Sequence, residues 1–370
     1  MRRGSPGGGR WPYLRVMRSV TWQEVYARRL RASRLDRAAP LDELLEVAST
    51  VLGAHAQLTT GAELAFSARV EGVRRDLVRE LLWERRELVK ANTLRGTLHL
   101  HPAPELATFK ALRTARARWR EQAWLNFQEL TLAQAEWLRA AILELLEDGE
   151  PRTREEIGRG IGGALGAHLA TDSWGHYAAP AGDLLCHGPP RGRNVTFVRC
   201  DRWIPGWRER RPADAVRSVV SRYLDTYGPA RREEIEHWLA LKLPEDALAD
   251  FEEIDVEGRA SYVVPGTTFP QEEPHGVRLL WHYDVYVIAC HPRDHLIPAH
   301  KERIFLRGAG PSPALLVDGR VAGTWRRTQR GRRMEIAVEP FGRLGRADRS
   351  ALADEAARVA RTYAAEAVLV

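Results

Sequence analysis

Two stretches of the chain, residues 148–162 and 227–241, carry the same order of residue types. In each, a glycine is followed by a proline, a basic residue and then Glu-Glu-Ile, where a helical pattern begins. A longer helical pattern comes before each stretch and a hairpin pattern comes after it. We interpret the two stretches as a weak internal repeat of a unit that has three helices and a hairpin. This is the order of elements in a winged-helix unit.

The spacing of apolar and turn-forming residues extends this pattern to the rest of the chain. It predicts helices at 21–35, 41–54, 76–88, 132–149, 154–160, 176–186, 213–228, 230–241, 245–254 and 349–367. Alternation predicts strands or hairpins at 93–101, 192–200, 255–264 and through most of 277–341. In the last region Asp318-Gly319 is the strongest hairpin signal, because this dipeptide adopts the tight turns that join antiparallel strands.

These elements predict a mainly α fold with small β wings, of the α+β class. We expect a flexible basic arm, three tandem winged-helix units, and a C-terminal β-rich subdomain with a closing helix. The expected bounds of these five parts are 1–20, 21–131, 132–211, 212–270 and 271–370.

The chain is basic, with a formal net charge of +7, and all but four of its 56 basic residues are arginine. Codon use in a GC-rich genome explains such a bias without any function. Phosphate binding also explains it, because a guanidinium is a planar bidentate donor, and both explanations can hold together. Arg326, Arg327 and Arg330 cluster in one predicted hairpin, where a solvated charged surface is the alternative to phosphate contact. We favour phosphate contact and expect an anionic partner.

Several classes of protein are disfavoured by the sequence. No apolar run approaches the ~18 residues of a membrane span, and the basic N-terminus has no apolar signal core. The three cysteines are scattered, and neither His-Glu-x-x-His nor Cys-x-x-Cys occurs, so we expect no metal and no cofactor. Gly158, Gly160 and Gly163 match a dinucleotide-binding motif by letter, but they follow a helix, which indicates chance. We expect a cytoplasmic protein with no membrane partner.

Five further motifs occur in a fixed order along the chain. They are Ser67–Arg69, Leu94–His99, Tyr227–Pro229, Leu279–Asp284 and Asp318–Trp325. Over residues 21–365 their order and spacing resemble the AlkZ/YcaQ family of winged-helix DNA glycosylases. The resemblance implies a C-shaped monomer with a basic concave face, acting on double-stranded DNA in association with the nucleoid.

The resemblance also assigns roles to residues within these motifs. It implies that Arg69 and Arg95 contact DNA, together with the hairpin arginines. The residues that it implies for a lesion pocket are Thr97, His99, Tyr283 and Asp284.

The catalytic element of the family is usually Gln-x-Gln, whereas this chain has His55-Ala56-Gln57. A His-x-Gln version resembles the subgroup that protects antibiotic producers from their own DNA-alkylating products. The implied reaction is hydrolysis of the N-glycosidic bond of a bulky N7-alkylguanine. Because this base is cationic, it leaves without being protonated. The enzyme must therefore hold a water near C1′ and stabilise oxocarbenium character in the sugar.

The two polar residues of the element suit this chemistry. The amide of Gln57 can orient a water, because it both donates and accepts hydrogen bonds. A neutral His55 can accept a proton, and with an unperturbed pKa it would make the rate rise with pH through about 6.5. Residues two apart share one face of an extended segment. The alternative is that both residues cap the preceding helix or satisfy buried backbone groups, and His99 and His101 have a structural alternative as well.

Two further expectations concern the type of activity. Lys90 is the only lysine near the element, and we interpret it as a surface residue. The sequence therefore predicts a monofunctional glycosylase, without a Schiff-base step. A winged-helix transcription regulator without catalysis remains the alternative, since fold alone cannot separate the two. A regulator reads a specific sequence, usually as a dimer, whereas a glycosylase binds damaged DNA with little sequence preference.

Overall fold

The computed structural model describes residues 17–171, 173–291, 293–302 and 312–370. Helices make up 46% and strands 21%, so helix and strand are mixed, as the α+β class predicts. In these ranges no helix is long and apolar enough to cross a membrane. Most of the predicted basic arm, residues 1–16, lies outside the described residues.

The α-helices of the described residues are α1 (Trp22–Ala32), α2 (Leu44–Thr50), α3 (Thr59–Ser67), α4 (Arg75–Trp83), α5 (Leu106–Arg116), α6 (Gln122–Phe127), α7 (Leu132–Leu145), α8 (Arg154–Ile161), α9 (Gly163–Leu169), α10 (Trp174–Tyr177), α11 (Cys200–Trp203), α12 (Pro212–Tyr227), α13 (Arg232–Leu239), α14 (Val285–Ile288) and α15 (Arg346–Thr362). The strands are β1 (Ser19–Val20), β2 (Ala54–His55), β3 (Leu88–Asn92), β4 (Leu98–Pro102), β5 (Arg152–Thr153), β6 (Leu185–Arg191), β7 (Asn194–Arg199), β8 (Glu252–Val256), β9 (Ala260–Val263), β10 (Val277–Leu280), β11 (Ala314–Val317), β12 (Arg320–Arg330), β13 (Arg333–Pro340) and β14 (Glu366–Leu369).

The described strands form three small sheets and one larger sheet. Each small sheet combines an antiparallel pair with a two-residue edge strand, in the orders β2-β4-β3, β5-β7-β6 and β1-β8-β9. Strands β10 to β14 form a five-stranded sheet in chain order, in which only the β13–β14 pair is parallel. Helix α15 covers one face of this sheet, because Leu352 and Val359 pack with Leu279 and Ile336.

The internal repeat is present in the structure as two equivalent helix starts. Helices α8 and α13 begin at Arg154 and Arg232, which align in the two stretches. In each helix the second glutamate of Glu-Glu-Ile accepts a hydrogen bond from the backbone N–H that precedes the helix, at 2.8 and 2.9 Å. Ile157 and Ile235 are both completely buried. The repeated residues therefore cap a helix and bury its first turn.

The first described elements differ from their predicted place. Ser19 and Val20 pair in parallel with β8, and the Arg18 guanidinium donates to the Thr267 carbonyl at 2.7 Å. Val25 of α1 is buried with Ile254 in one apolar cluster. Residues 18–20, which we expected in the flexible arm, thus contact the folded part of the chain. Helix α1 packs through Val25 against β8 and β9 and through Leu30 against β10 to β12.

In the early part of the chain the observed elements are shifted from the predicted ones. Helix α2 ends at Thr50 and α4 at Trp83, so both are shorter than predicted. The stretch around 63–70, where no element was predicted, lies mostly in helix α3. The predicted strand 93–101 begins with a 3-10 turn at Leu94–Gly96 and becomes a strand only at Leu98.

Three other predicted helices are shortened or replaced. The segment 245–254 forms only a 3-10 turn before β8, because Ile254 and Val256 alternate into the core as strand residues do. The segment 176–186 ends its helix at Tyr177 ahead of Pro180, and β6 begins at Leu185. Helix α15 ends at Thr362, and the last residues return as β14 beside β13.

A buried ion pair joins helix α3 to the start of α14. The guanidinium of Arg69 donates to both carboxylate oxygens of Asp284, at 2.9 and 2.7 Å, and also to the Ala65 carbonyl at 2.9 Å. The two side chains are 0% and 1% exposed. Asp284 also accepts from the Tyr286 N–H at 3.0 Å and so caps α14. The pair holds the segment before α14 against the end of α3.

We expect this pair to carry a large share of local stability. Replacing Arg69 with Met leaves the Asp284 carboxylate buried without its partner, and loss of one partner of a buried pair costs about 3–5 kcal/mol. Urea unfolding at neutral pH measures the change in the free energy of unfolding. Arg74→Ala is the matched control, because Arg74 and Asp76 are 70% and 69% exposed and such pairs contribute at most about 1 kcal/mol. Equal effects of the two substitutions would contradict the assignment.

Candidate active site

The His55–Gln57 segment lies at the edge of the first small sheet, between helices α2 and α3. In this sheet His55 is paired with His99, and the Ala56 N–H donates to the Leu98 carbonyl at 2.7 Å. Gly53 allows the chain to enter the strand: its φ is +88°, and a Cβ there would lie 2.4 Å from the His101 ring. The turn before the strand therefore fixes His55 against the sheet.

His55 and Gln57 differ in their surroundings. His55 is only 8% exposed; the Tyr283 ring lies 4.8 Å from its ring and the His99 ring lies edge-on at 5.5 Å. Gln57 follows the end of the strand, is exposed, and contributes to the wall of a cavity. The structure thus places one residue of the pair in the protein and the other in contact with solvent.

Burial lowers the pKa of His55 from its ordinary value near 6.5 to about 4. The positive charges of Arg95 and Lys90 lower it further, and the carboxylate of Asp284 opposes them. The imidazole is therefore neutral at physiological pH. It can accept a hydrogen bond or a proton, but it offers no fixed positive charge.

His99 and His101 form a buried layer behind His55. The Thr93 hydroxyl lies 3.3 Å from Nδ1 of His99 and 2.9 Å from Nε2 of His101. Burial lowers the pKa of both rings well below the ordinary range. The Thr97 hydroxyl donates to the Leu94 carbonyl at 3.1 Å. His99, which we expected in a lesion pocket, is only 1% exposed, and His101 is fully buried.

Arg95 lies beside this layer in a left-handed conformation, with φ of +53°. Its guanidinium donates to the Trp238 carbonyl at 3.3 Å. Burial lowers the pKa of Arg95 to about 10, and the nearby charges of Arg293 and Arg116 act in the same direction. No carboxylate forms an ion pair with Arg95 within the part of the chain that the structure describes. Arg95 therefore places positive charge near His55, and Arg293 and Arg116 add positive charge around Arg95.

Tyr283 and Asp284, which the resemblance implied for a lesion pocket, differ in exposure, since Tyr283 is partly exposed and Asp284 is buried. Tyr283 adopts a left-handed φ of +59° and packs on His55. Asp284 is 3% exposed and bound to Arg69, so it does not line an open pocket. Arg69, expected at the DNA surface, is completely buried by the same pair. The buried pair thus lies next to Tyr283 in the chain, whose ring packs on His55.

The hairpin arginines are partly paired, contrary to the pattern in the sequence. Arg326 forms an ion pair with Glu339 on the neighbouring strand. Arg327 lies over the ring of Tyr363 at 4.3 Å and over that of Trp281 at 5.2 Å. Arg330 is exposed near the end of the hairpin. Because strands β12 and β13 are paired, acidic residues that are distant in sequence become neighbours of the arginines.

Lys90 is not the surface residue that we expected. It lies half-buried on β3, and its amine donates to the Thr59 hydroxyl at 3.2 Å. Thr59 is two residues after Gln57 in the chain. Burial lowers the pKa of Lys90 to about 8. The apolar residues Val89 and Ala91 on either side of Lys90 alternate as in a strand. This pattern could have predicted β3, but the strand was not recognised. The lysine is thus a neighbour of the candidate site.

A cavity of about 460 Å³ lies between the first and second small sheets. Gln57, Asn92 and Leu98 contribute to one side of it. Trp174, His187 and Phe197, from the part of the chain around β6 and β7, contribute to the other. The sequence did not associate these aromatic residues with the catalytic element. Within the described ranges, no group of three or more His, Cys, Asp or Glu residues is placed to hold a metal ion.

Comparison with known proteins gives a class and a family. The family model described as "DNA glycosylase AlkZ-like" matches residues 48–362. The chain is similar to an interstrand DNA cross-link repair glycosylase of Streptomyces sahachiroi, with 29% identity over 92% of this chain and 96% of that protein. It is also similar to the solved structure of the Streptomyces sahachiroi DNA glycosylase AlkZ. That match has a TM-score of 0.82 and 26% identity over 95% of this chain and 100% of the other.

The protein is a DNA glycosylase, a hydrolase that acts on N-glycosidic bonds. Since the family model covers most of its length, the chain belongs to the AlkZ-like family of DNA glycosylases. This confirms the family resemblance found in the sequence motifs. A transcription regulator without catalysis is not favoured.

The lowered pKa of His55 predicts a specific pH profile. If His55 acts as a neutral group, single-turnover excision should be flat from about pH 5.5 to pH 8, because the ring is protonated only as the pH falls toward its pKa of about 4. The rate should then decrease on the acidic side. His55→Gln should lack this acidic limb, since its amide does not titrate. A rise in rate centred near pH 6.5 in the unmodified enzyme would contradict the assigned environment of His55.

Proposed function

We propose that this glycosylase hydrolyses the N-glycosidic bond of bulky N7-alkylguanine adducts in double-stranded DNA. The product is an abasic site, and the biological role is self-resistance to a genotoxic natural product. The observation that carries the proposal is the position of Gln57, exposed at a cavity wall and two residues from a buried, neutral His55. The relative from Streptomyces is named for interstrand cross-link repair, and a cross-linked base is itself a bulky adduct.

The reaction needs little acid catalysis from the protein. N7-alkylguanine is cationic and departs as a neutral base, so positive charge moves to the sugar in the transition state. A neutral His55 avoids repulsion with that charge, whereas an imidazolium would oppose it. The Gln57 amide can hold the attacking water with its carbonyl oxygen, and His55 can accept the proton that the water loses. In this proposal Tyr283 keeps the His55 ring in place.

The monofunctional character is also part of the proposal. A glycosylase that cleaves the strand needs an amine to attack C1′, and Lys90 is the nearest candidate, with its amine on the Thr59 hydroxyl. We propose that Lys90 does not act as a nucleophile on C1′. Strand breaks that appear only after heat or alkali would support this assignment.

For the architecture we propose three winged-helix units around a C-shaped, basic concave face. The three small sheets, each with helices before it in the chain, support this division. Arg95, with Arg116 and Arg293 close by, supports a DNA path next to His55. The exposed arginines of the β12–β13 hairpin support a second contact, made by a monomer that works on the nucleoid in the cytoplasm.

Substitutions at the two candidate catalytic residues test the function. Gln57→Ala should slow single-turnover excision of an N7-alkylguanine on the order of 10²-fold, as loss of a positioned polar group does, and His55→Ala should behave similarly. DNA affinity should stay nearly unchanged. His55→Gln, which restores the usual family pair, should retain part of the activity. Abasic sites are measured as the strand breaks that alkali produces. Samples that omit the alkaline step give the background.

Gln122→Ala is the control for these variants. Gln122 is exposed on α6. Within the described residues, its side chain forms a hydrogen bond only with Asn126. It should excise at the unmodified rate. If the alanine variants at His55 and Gln57 both excise at that rate too, the two residues have a structural role and not a catalytic one.

The salt dependence of DNA binding tests the hairpin. Replacing Arg326 and Arg330 with Ala should reduce the slope of log affinity against log salt by roughly one for each lost phosphate contact. Arg85→Ala is the control, because Arg85 is an exposed arginine paired locally with Glu87. An unchanged slope in the hairpin variant would show that the hairpin does not touch DNA.

A further inference from the structure

The cavity beside Gln57 is lined by two separate parts of the chain. On the side of the first small sheet, Gln57 and Asn92 present polar groups. On the opposite side, Trp174, His187 and Phe197 present rings, and the charged residues Arg154, Glu155 and Arg193 also line the cavity. The volume of about 460 Å³ falls in the range of small-molecule pockets, roughly 300–1,000 Å³. The cavity therefore has room for a group larger than the catalytic water.

The rings on the second side form one continuous surface. Phe197 stands directly opposite His187 in the β6–β7 pair, with ring centroids 5.1 Å apart. The Trp174 ring lies 4.2 Å from that of Phe197. Burial, with the charges of Lys90 and Lys110, lowers the pKa of His187 to about 3. All three rings are therefore uncharged, which suits contact with a planar aromatic group.

Buried polar contacts hold the two sides at a fixed separation. Lys110 is 2% exposed, and its amine donates to the Asn92 carbonyl on one side, at 3.2 Å. On the other side it donates to the Gly182 and Leu185 carbonyls, at 2.9 and 2.5 Å. Arg113 donates to the Asn92 side chain at 2.7 Å. The cavity is thus built before any ligand arrives.

The chemistry of the lesion relates this wall to the reaction. In guanine, N7 and the glycosidic N9 belong to the same five-membered ring and are separated by one carbon. A lesion whose C1′ lies at Gln57 therefore carries its N7 substituent a few bonds away, within reach of the same cavity. We propose that Trp174, His187 and Phe197 form a subsite for a planar aromatic group of the N7 substituent. This subsite rests on the proposed function and specifies its substrate class.

The test compares two lesions in the same duplex sequence, N7-methylguanine and N7-benzylguanine. Trp174→Ala and Phe197→Leu should slow excision of the benzyl lesion on the order of tenfold, the scale of one aromatic contact. Excision of the methyl lesion should stay within about twofold of the unmodified rate. The second variant keeps an apolar side chain of similar size in the sheet, so it reports on the ring if the first is unstable. Trp137→Ala is the control, because Trp137 is 50% exposed on α7 and does not line this cavity.

The outcomes separate this proposal from the function on which it rests. A loss confined to the benzyl lesion in both cavity variants, with the control unchanged, establishes the subsite. An unchanged ratio of the two rates, whether both fall equally or neither falls, overturns the subsite and leaves the glycosylase function standing. If the unmodified enzyme excises neither lesion, the proposed function is overturned, and the subsite with it.

Discussion

The buried pair of Arg69 and Asp284 is the interaction on which the geometry of the site depends. Removing two charges from water is unfavourable, so such a pair persists only where geometry and extra hydrogen bonds compensate. Here the contact is bidentate, Arg69 donates a further hydrogen bond to the Ala65 carbonyl, and Asp284 accepts one from the Tyr286 N–H. The residue before Asp284 is Tyr283, whose left-handed conformation places its ring on His55. An ion pair far from solvent thus orients the group beside the proposed chemistry.

Much of the fold could be predicted where local signals were strong. The repeated Gly-Pro-basic-Glu-Glu-Ile stretches predicted helix starts that the structure places at Arg154 and Arg232. Helices α7 and α12 were found from long apolar periodicity and a closing glycine. The errors lie in short elements, such as 245–254, where charged residues at helical spacing hid a strand. There the tertiary core selected the conformation, because Ile254 and Val256 are buried only as alternating strand residues.

The candidate site could be predicted only in part. The His55–Gln57 segment was found because family motifs follow it in the chain, and its place beside His99 follows from two strands close in the chain. The charge state of His55 was not predictable, because it depends on burial by Tyr283, more than 200 residues away in the sequence. The buried state of Arg69 was missed for a related reason. An arginine in a motif of a DNA enzyme suggests a phosphate contact, and nothing in the sequence reveals a carboxylate partner inside the protein.

Lys110 has a consequence for how such an enzyme can change over evolutionary time. Its amine fastens the segment that carries Asn92 to the segment that carries Gly182 and Leu185, by backbone carbonyls alone. Because carbonyls are the same for every residue type, side chains on β6 and β7 can be exchanged without loosening that junction. The reacting residues and the facing rings come from separate stretches of chain, so they can mutate independently. A new genotoxin could then be met by altering one wall, while the hydrolytic machinery is inherited unchanged.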